Sequence, residues 1–253
     1  MDLTTGVVDT AEDAFLDGRV RLRQPVTGYR AATDPVLLAA ATPAVSGNSV
    51  LDLGCGVGAA ACCLGARVPS LDLHGLELQL LYARLARENA ASNAQRFTVH
   101  DGDLRVMPRA LKESVFDAVM LNPPWHSAEG SGSPDPARDR AHRLDTDMMT
   151  WLTAALARTR PGGWVVVIQR AERLPDILAG FGAQAGDIAV LPLAGREGRP
   201  AKRVIVKARK GSKGPFRLAP PLVLHRGTAH LTDADDFSDT ATAILRDAAP
   251  IDF

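Results

Sequence analysis

The sequence predicts an α/β fold in which a mainly parallel sheet is covered by helices. Three observations carry this expectation. From Val50 onward, short apolar runs of strand length alternate with stretches of helix length, the order that builds βαβ units. The first run breaks directly into Gly54-Cys55-Gly56-Val57-Gly58 and then into the Ala-rich Ala59 to Ala66, a strand, glycine turn and helix in succession. And a chain of 253 residues, 46% hydrophobic and 23% charged, has the length and composition of a globular protein with a sizeable core.

Taken in order, residues 1–18 are expected to be loosely ordered. Arg19-Val20-Arg21-Leu22-Arg23 alternates at period two, as a half-exposed strand does, and Gln24 to Gly28 turn the chain. Thr33 or Asp34 followed by Pro35 marks a helix start leading into the apolar Val36 to Ala41. Strands at 50–53, 71–76, 97–100 and 116–121 are separated by helices near 58–66, 78–93 and 104–111. The Gly/Ser/Pro-rich stretch His126 to Arg143 is long for a loop, which favours a functional lid or a disordered segment. Its Arg138, Arg140, His142 and Arg143 suit either phosphate contact or simple solvation. A helix near 146–159, the turn Pro161-Gly162-Gly163, a strand from Trp164 to Ile168 and a helix near 171–180 follow. Extended runs at 186–192 and 202–208, joined by Gly195 to Pro200, read as a closing hairpin.

Composition narrows the setting. No apolar stretch is long and clean enough to span a bilayer, and the acidic N-terminus (Asp2, Asp9, Glu12, Asp13) lacks the basic start and apolar run of a secretory signal. Cys55, Cys62 and Cys63 are odd in number, clustered and without a Cys-x-x-Cys pair, so they read as reduced packing residues of a cytoplasmic protein, with no metal site. The net charge of +0 argues weakly against a strong nucleic-acid binder. The average hides an asymmetry, since Arg196 to Arg217 holds Arg196, Arg199, Lys202, Arg203, Lys207, Arg209, Lys210, Lys213 and Arg217 against Glu197 alone, while Asp233 to Asp239 is acidic. Such a run is a solvated strand surface in most proteins; it can also track a phosphate backbone.

The most informative stretch is Asn122-Pro123-Pro124-Trp125, directly after the run Phe116 to Leu121. Two prolines remove two backbone donors, fix φ and push Asn122 out of the helical region, leaving a stiff corner with an amide and an aromatic. The Asn122 oxygen and the Pro123 carbonyl can both accept from a planar amine while Trp125 stacks on its ring. By itself this corner is equally a rigid loop with Trp125 packed on the core. Upstream, the glycines allow close approach to a ligand at a helix N-terminus. Glu77 ends the second strand, where a carboxylate can accept from ribose hydroxyls, and Asp103 follows the third, placed to accept from an adenine amine. The spacing is Gly-x-Gly-x-Gly rather than the Gly-x-Gly-x-x-Gly of dinucleotide sites, and hydride transfer would leave the Asn-Pro-Pro-Trp corner unused.

Asp52-Leu53-Gly54-Cys55-Gly56-Val57-Gly58, Glu77, Asp101-Gly102-Asp103 and Asn122-Pro123-Pro124-Trp125 resemble, in order and spacing, the class I S-adenosylmethionine-dependent methyltransferases. The tetrapeptide is similar to the Asn-Pro-Pro-aromatic signature of amino-group methyltransferases, which act on adenine N6, on guanine N2 of ribosomal RNA or on a protein glutamine. Gly28-Tyr29-Arg30 with Ala31 to Ala39, and Gly195-Arg196-Glu197-Gly198-Arg199-Pro200-Ala201-Lys202-Arg203-Val204, resemble one subgroup, the tRNA1(Val) adenine-N6 methyltransferases, over roughly residues 15–226. Trp125 stands where tyrosine is common in that subgroup.

The resemblance implies a Rossmann-like, seven-stranded sheet with an antiparallel last strand. It divides the chain into an N-terminal extension at 1–45, the methyltransferase domain at 46–226 and an acidic tail at 227–253. It implies S-adenosyl-L-methionine held by Asp52, Gly54, Cys55, Gly56, Gly58, Glu77, Asp103, Leu104 and Asn122, with Thr33 and Asp34 helping to close the pocket. Asn122, Pro123, Pro124 and Trp125 carry catalysis; Trp125, Tyr29, Arg196, Arg199 and Lys202 meet the substrate, expected to be RNA and above all tRNA, with no metal or membrane. The oligomeric state is left open, a monomer being slightly favoured. Thr33 and Asp34 read more simply as a plain helix cap, and Tyr29 equally as a packed aromatic. A glutamine-modifying enzyme, a ribosomal RNA enzyme and a non-catalytic protein of the same fold are the alternatives.

Overall fold

The computed structural model describes residues 8–124, 147–227 and 236–253. Its elements, in order, are β1 (Thr10–Phe15), β2 (Val20–Pro25), α1 (Thr33–Ala41), β3 (Ser49–Leu53), α2 (Ala59–Arg67), β4 (Asp72–Glu77), α3 (Leu80–Ser92), β5 (Phe97–Asp101), α4 (Arg109–Lys112), β6 (Phe116–Leu121), α5 (Met148–Arg158), β7 (Thr159–Arg170), α6 (Leu174–Phe181), β8 (Ala185–Ala194), β9 (Arg203–Lys210), β10 (Arg217–Leu218), β11 (Leu222–Val223) and α7 (Asp239–Asp247).

The long strands form one sheet in the order β5-β4-β3-β6-β7-β9-β8. β3 pairs in parallel with both β4 and β6, β4 with β5, and β6 with β7, while β9 runs antiparallel between β7 and β8. The closing hairpin and the antiparallel strand are therefore as expected, and two short strands, β10 and β11, extend the sheet along β8. The central strands are buried on both faces, which explains their near-continuous apolar sequences. Side chains alternate between two cores: Val50, Met120, Val166 and Ile168 face α1 and α2, whereas Leu51, Leu53, Leu121 and Val167 face α5 and α6.

Several expectations are corrected. The region 1–18 is not loosely ordered over its described part: β1 pairs antiparallel with β2, and its acids are used, Glu12 by Arg21 at 2.9 Å and Asp13 by Arg30 at 2.5 Å. The stretch 104–111 is not one helix, because Pro108 lacks an N–H and biases Met107 to extended backbone. It divides into a 3-10 turn at Leu104–Val106 and the single-turn α4. Pro161-Gly162-Gly163 does not precede β7 but lies within it, taken up by an irregularity between Phe116↔Thr159 and Ala118↔Trp164. α7, capped by Ser238 accepting from the Ala241 N–H at 3.1 Å, packs Ile244 into the core beside α1. The loop 126–143 and its cations lie outside the described residues.

Candidate active site

Register brings the carboxyl ends of β3, β4, β5 and β6 together. Leu53 is opposite Leu76 on one side and Leu121 on the other, and Glu77 is opposite Asp101. β3, β4, β5 and β6 thus end level with one another at the carboxyl edge, where β3 joins strands wound in opposite directions. This is the switch point at which open α/β sheets bind ligands. The residues that follow those ends are Gly54, Leu78, Gly102 and Asn122.

The glycine turn is held from below. The Leu76 carbonyl accepts from the N–H groups of Gly54 (2.8 Å) and Cys55 (3.0 Å). Gly54 has φ +78°, and a methyl group added there would lie 2.7 Å from the Trp151 ring, so both backbone and space demand glycine. At Gly56 the same test meets only the Tyr29 ring, at 3.9 Å, so this part of the turn is open to a ligand. The Cys55 side chain points away, into the sheet beside Gly75; burial pushes all three cysteine thiols up, Cys62 to about 12, leaving them packing groups.

Two acids lie under the turn. Glu77 accepts from the Gly56 N–H at 2.9 Å and the Gln79 N–H at 2.8 Å, and burial raises its carboxyl despite those bonds. Asp52 is 3% exposed and its Oδ2 has no hydrogen-bond partner among the described residues. Burial first, then the nearby Glu77, push it up to about 7 against an opposing bond from the Ala61 N–H. Asp103 caps the 3-10 turn through the Arg105 N–H at 2.8 Å. The Arg105 side chain also grips it, at 2.5 Å from Nη2 to Oδ2, holding its carboxyl below the usual range. Leu104 packs partly against the core.

Above the turn stands Tyr29, its ring open on one side. The residue as a whole is exposed, but desolvation around its hydroxyl, with Asp34 and Asp52 nearby, pushes that group up. The segment carrying it is fixed by Gln24, which accepts from the Ala31 N–H at 2.7 Å, and by the Tyr82 hydroxyl, which accepts from the Tyr29 N–H at 3.2 Å. Thr33 and Asp34 do not cap α1: Ala32 is the N-cap residue and makes no side-chain bond. Asp34 instead pairs with Arg203 Nε at 2.6 Å, tying α1 to the start of β9.

Asn122 is half-buried, Pro123 buried and Pro124 exposed, while Trp125 lies outside the described residues. The Pro123 carbonyl accepts from Gln169 Nε2 at 3.0 Å. A cavity of about 240 Å³ among Asp117, Arg160 and Trp164 is at the opposite, amino edge of the sheet, away from all of these groups.

The family profile of the methyltransferase small domain matches residues 32–184. The chain belongs to that family. The methyltransferase is similar to a tRNA1(Val) (adenine(37)-N6)-methyltransferase of Actinobacillus succinogenes, with 27% identity over 210 residues covering 80% of this chain and 86% of the relative. An enzyme of the same name from Porphyromonas gingivalis is 28% identical over 176 residues, 65% of this chain and 68% of its own. The crystal structure of a predicted O-methyltransferase from Agrobacterium tumefaciens superimposes with a TM-score of 0.69 and 25% identity, covering 86% of this chain and 98% of that one. The cofactor of this methyltransferase is S-adenosyl-L-methionine.

The cations expected to meet substrate part company in the methyltransferase structure. Arg199 and Lys202 are exposed on the hairpin turn, at the same edge as Asn122. Arg196 is largely buried and engaged by Asp236 and by the Arg226 carbonyl, in a cluster that includes His225 at 2.6 Å from Asp236. Sequence reasoning missed Trp151, Tyr82 and Gln169. The first two read as ordinary core aromatics; only Gln169 left a trace, as an amide ending the apolar run Val165 to Ile168. Among the described residues no helix of the methyltransferase is long and apolar enough to cross a membrane.

Proposed function

We propose that this methyltransferase transfers the methyl group of S-adenosylmethionine to the exocyclic N6 amine of an adenine in tRNA. The observation that carries the reading is the Leu53–Leu121 pairing, which sets Asn122-Pro123-Pro124 beside the glycine turn. The names of the relatives support the substrate: they are called tRNA1(Val) (adenine(37)-N6)-methyltransferases. The segments Gly28 to Ala39 and Gly195 to Val204 resemble the same subgroup.

The residues fit the cofactor on two grounds visible in the structure. Gly56 leaves an open cradle, and Asp52 presents a buried oxygen that lacks a partner. In this reading Asp52, Gly54, Cys55, Gly56 and Gly58 line the cofactor, and Glu77 keeps lone pairs free for ribose hydroxyls. Asp103 and Leu104 flank its adenine, Asn122 touches its reactive end, and Thr33 and Asp34 wall one side. When bound, the cofactor supplies a methyl group on a sulfonium sulfur that departs as a neutral thioether. Catalysis by the chain is then positioning and electrostatics. Asn122 Oδ1 and the Pro123 carbonyl accept from the target amine and aim its nitrogen lone pair. Drawing on both N–H bonds favours the pyramidal nitrogen that attack requires, and the extra proton leaves to solvent after the carbon–nitrogen bond has formed. Trp125 stacks on the target base, worth about 1–3 kcal/mol, so the adenine must be unstacked, as in an RNA loop. Tyr29, Arg196, Arg199 and Lys202 complete the substrate side, with Arg196 acting through the turn that it holds.

Tritiated methyl transfer to bulk tRNA, ribosomal RNA and protein, followed by nucleoside analysis, tests this directly. N6-methyladenosine in tRNA is expected; label confined to protein would overturn the reading. Asn122→Ala is expected to retain cofactor binding, weakened a few-fold at most, and to lose about a hundred-fold or more in turnover, the scale of removing one preorganised polar contact.

A further inference from the structure

We propose that Gln169 is a positioning residue for methyl transfer, holding the Pro123 carbonyl so that one lone pair is left in a fixed direction for the target amine. The inference rests on the amino-methyltransferase reading above and deepens it.

The corner cannot hold itself. Pro123 and Pro124 have no N–H, so neither can donate to a neighbouring strand, and only their carbonyls can tie the turn down. The described bond that reaches across to it is the 3.0 Å contact from Gln169 Nε2 to the Pro123 carbonyl. Gln169 is the last residue but one of β7, 5% exposed and directly after the apolar run Val165 to Ile168. An amide there is costly unless both ends are bonded. Both are, since Oε1 accepts from the Arg170 N–H at 2.9 Å, which fixes the rotation of the amide and keeps Nε2 turned toward Pro123. Gln169 is held in turn by β9, where it pairs with Val204, next to the Arg203 that meets Asp34.

A carbonyl oxygen accepts along two directions. With one taken by Gln169, the amine can approach only along the other, so the bond narrows the angle at which the target nitrogen is presented. Losing it frees the corner without removing any group that touches substrate or cofactor. The effect therefore belongs in turnover rather than in cofactor affinity.

Gln169→Met keeps the length and removes the donor. It should lower kcat on a tRNA transcript about ten- to a hundred-fold, the scale of a small misplacement at a reacting centre, with KM and the S-adenosylmethionine affinity by calorimetry little changed. Gln169→Glu offers the sharper test. As a carboxylate it only accepts and faces another acceptor; protonated, it can donate again. Its rate relative to the unchanged protein should recover as pH falls through the carboxyl's titration, while the Met variant shows no such recovery. A pH-independent ratio, or loss confined to cofactor affinity or folding in both variants, would overturn the proposal.

The contact is also read without substrate. In protein carrying ¹⁵N-glutamine, the side-chain N–H pair absent from the Met variant should exchange slowly with solvent, and rapid exchange would overturn the assignment. If the unchanged protein methylates no RNA although that pair is protected, the functional reading fails and the turnover role of Gln169 falls with it, while the contact itself stands.

Discussion

Asp52 shows how much a single residue can be bent by its place in the fold. It is buried under the glycine turn with one oxygen unpartnered, and its carboxyl is raised to about 7, far above an ordinary carboxylate. The folded protein therefore binds more protons than the unfolded chain between pH 4 and 7, on the order of one at this site. The stability tied to this group is fully present below the unfolded value and is lost as pH rises through about 7. Asp52→Asn imitates the protonated form. The melting temperature of that variant, measured without cofactor, should approach that of the unchanged protein near pH 4, exceed it increasingly up to about pH 7, and keep a constant lead above that. A difference that does not vary with pH would contradict the raised carboxyl.

Among the elements, the small β1–β2 sheet is joined to the main domain by an unusual device on α3. Among the described residues the outer edge of β2 has no further strand to pair with, and such edges need covering. Asn89 and the C-cap residue Asn93, four residues apart and so on the same side of the helix end, imitate a strand. Asn89 accepts from the Arg23 N–H at 2.8 Å and donates to the Arg23 carbonyl at 3.1 Å; Asn93 does the same for Arg21 at 2.9 and 2.7 Å. Asn89 also donates to the Val57 carbonyl at 3.0 Å, so the bond set reaches into the glycine turn. Asn89→Ala should cost about 2–3 kcal/mol in urea unfolding, because it strands several part-buried backbone groups, and should weaken cofactor binding as well. Asn93→Ala, at the exposed end, should cost about 1 kcal/mol or less.

For the molecule as a whole, 29 basic and 29 acidic residues cancel, so any grip on RNA must come from a local field rather than from net charge. The hairpin turn at the carboxyl edge is where such a field would help. Arg199→Ala with Lys202→Ala should raise KM for tRNA and reduce the slope of log KM against log salt by up to about two, one for each phosphate that is no longer neutralised. Arg196→Ala should behave differently and lower the melting temperature, since that side chain fastens the turn to Asp236 and so to the segment leading into α7. Equal salt slopes for the double variant and the unchanged protein would place the RNA elsewhere.

The sequence by itself determined the main succession of strands and helices from β3 to β9, apart from the break at Pro108, together with the glycine turn and the stiff corner at Asn122, because these depend on local rules: apolar runs of strand length, glycine where φ is positive, proline where a donor must be absent. It also placed Glu77 and Asp103 at strand ends. Only the tertiary structure decided what those groups touch. Asp34 reads as a helix cap in sequence and is an ion-pair partner of Arg203, 169 residues away. Arg196 reads as a surface cation and is spent on Asp236. β1 looked unstructured because its partners, Arg21, Arg30 and Gln24, lie beyond it in the chain. Gln169 and Pro123 are 46 residues apart and meet because β6 and β7 are neighbours. The stiffness of the Asn122 corner is local and so legible in the chain; what holds it against the glycine turn comes from strand register, which only folding fixes.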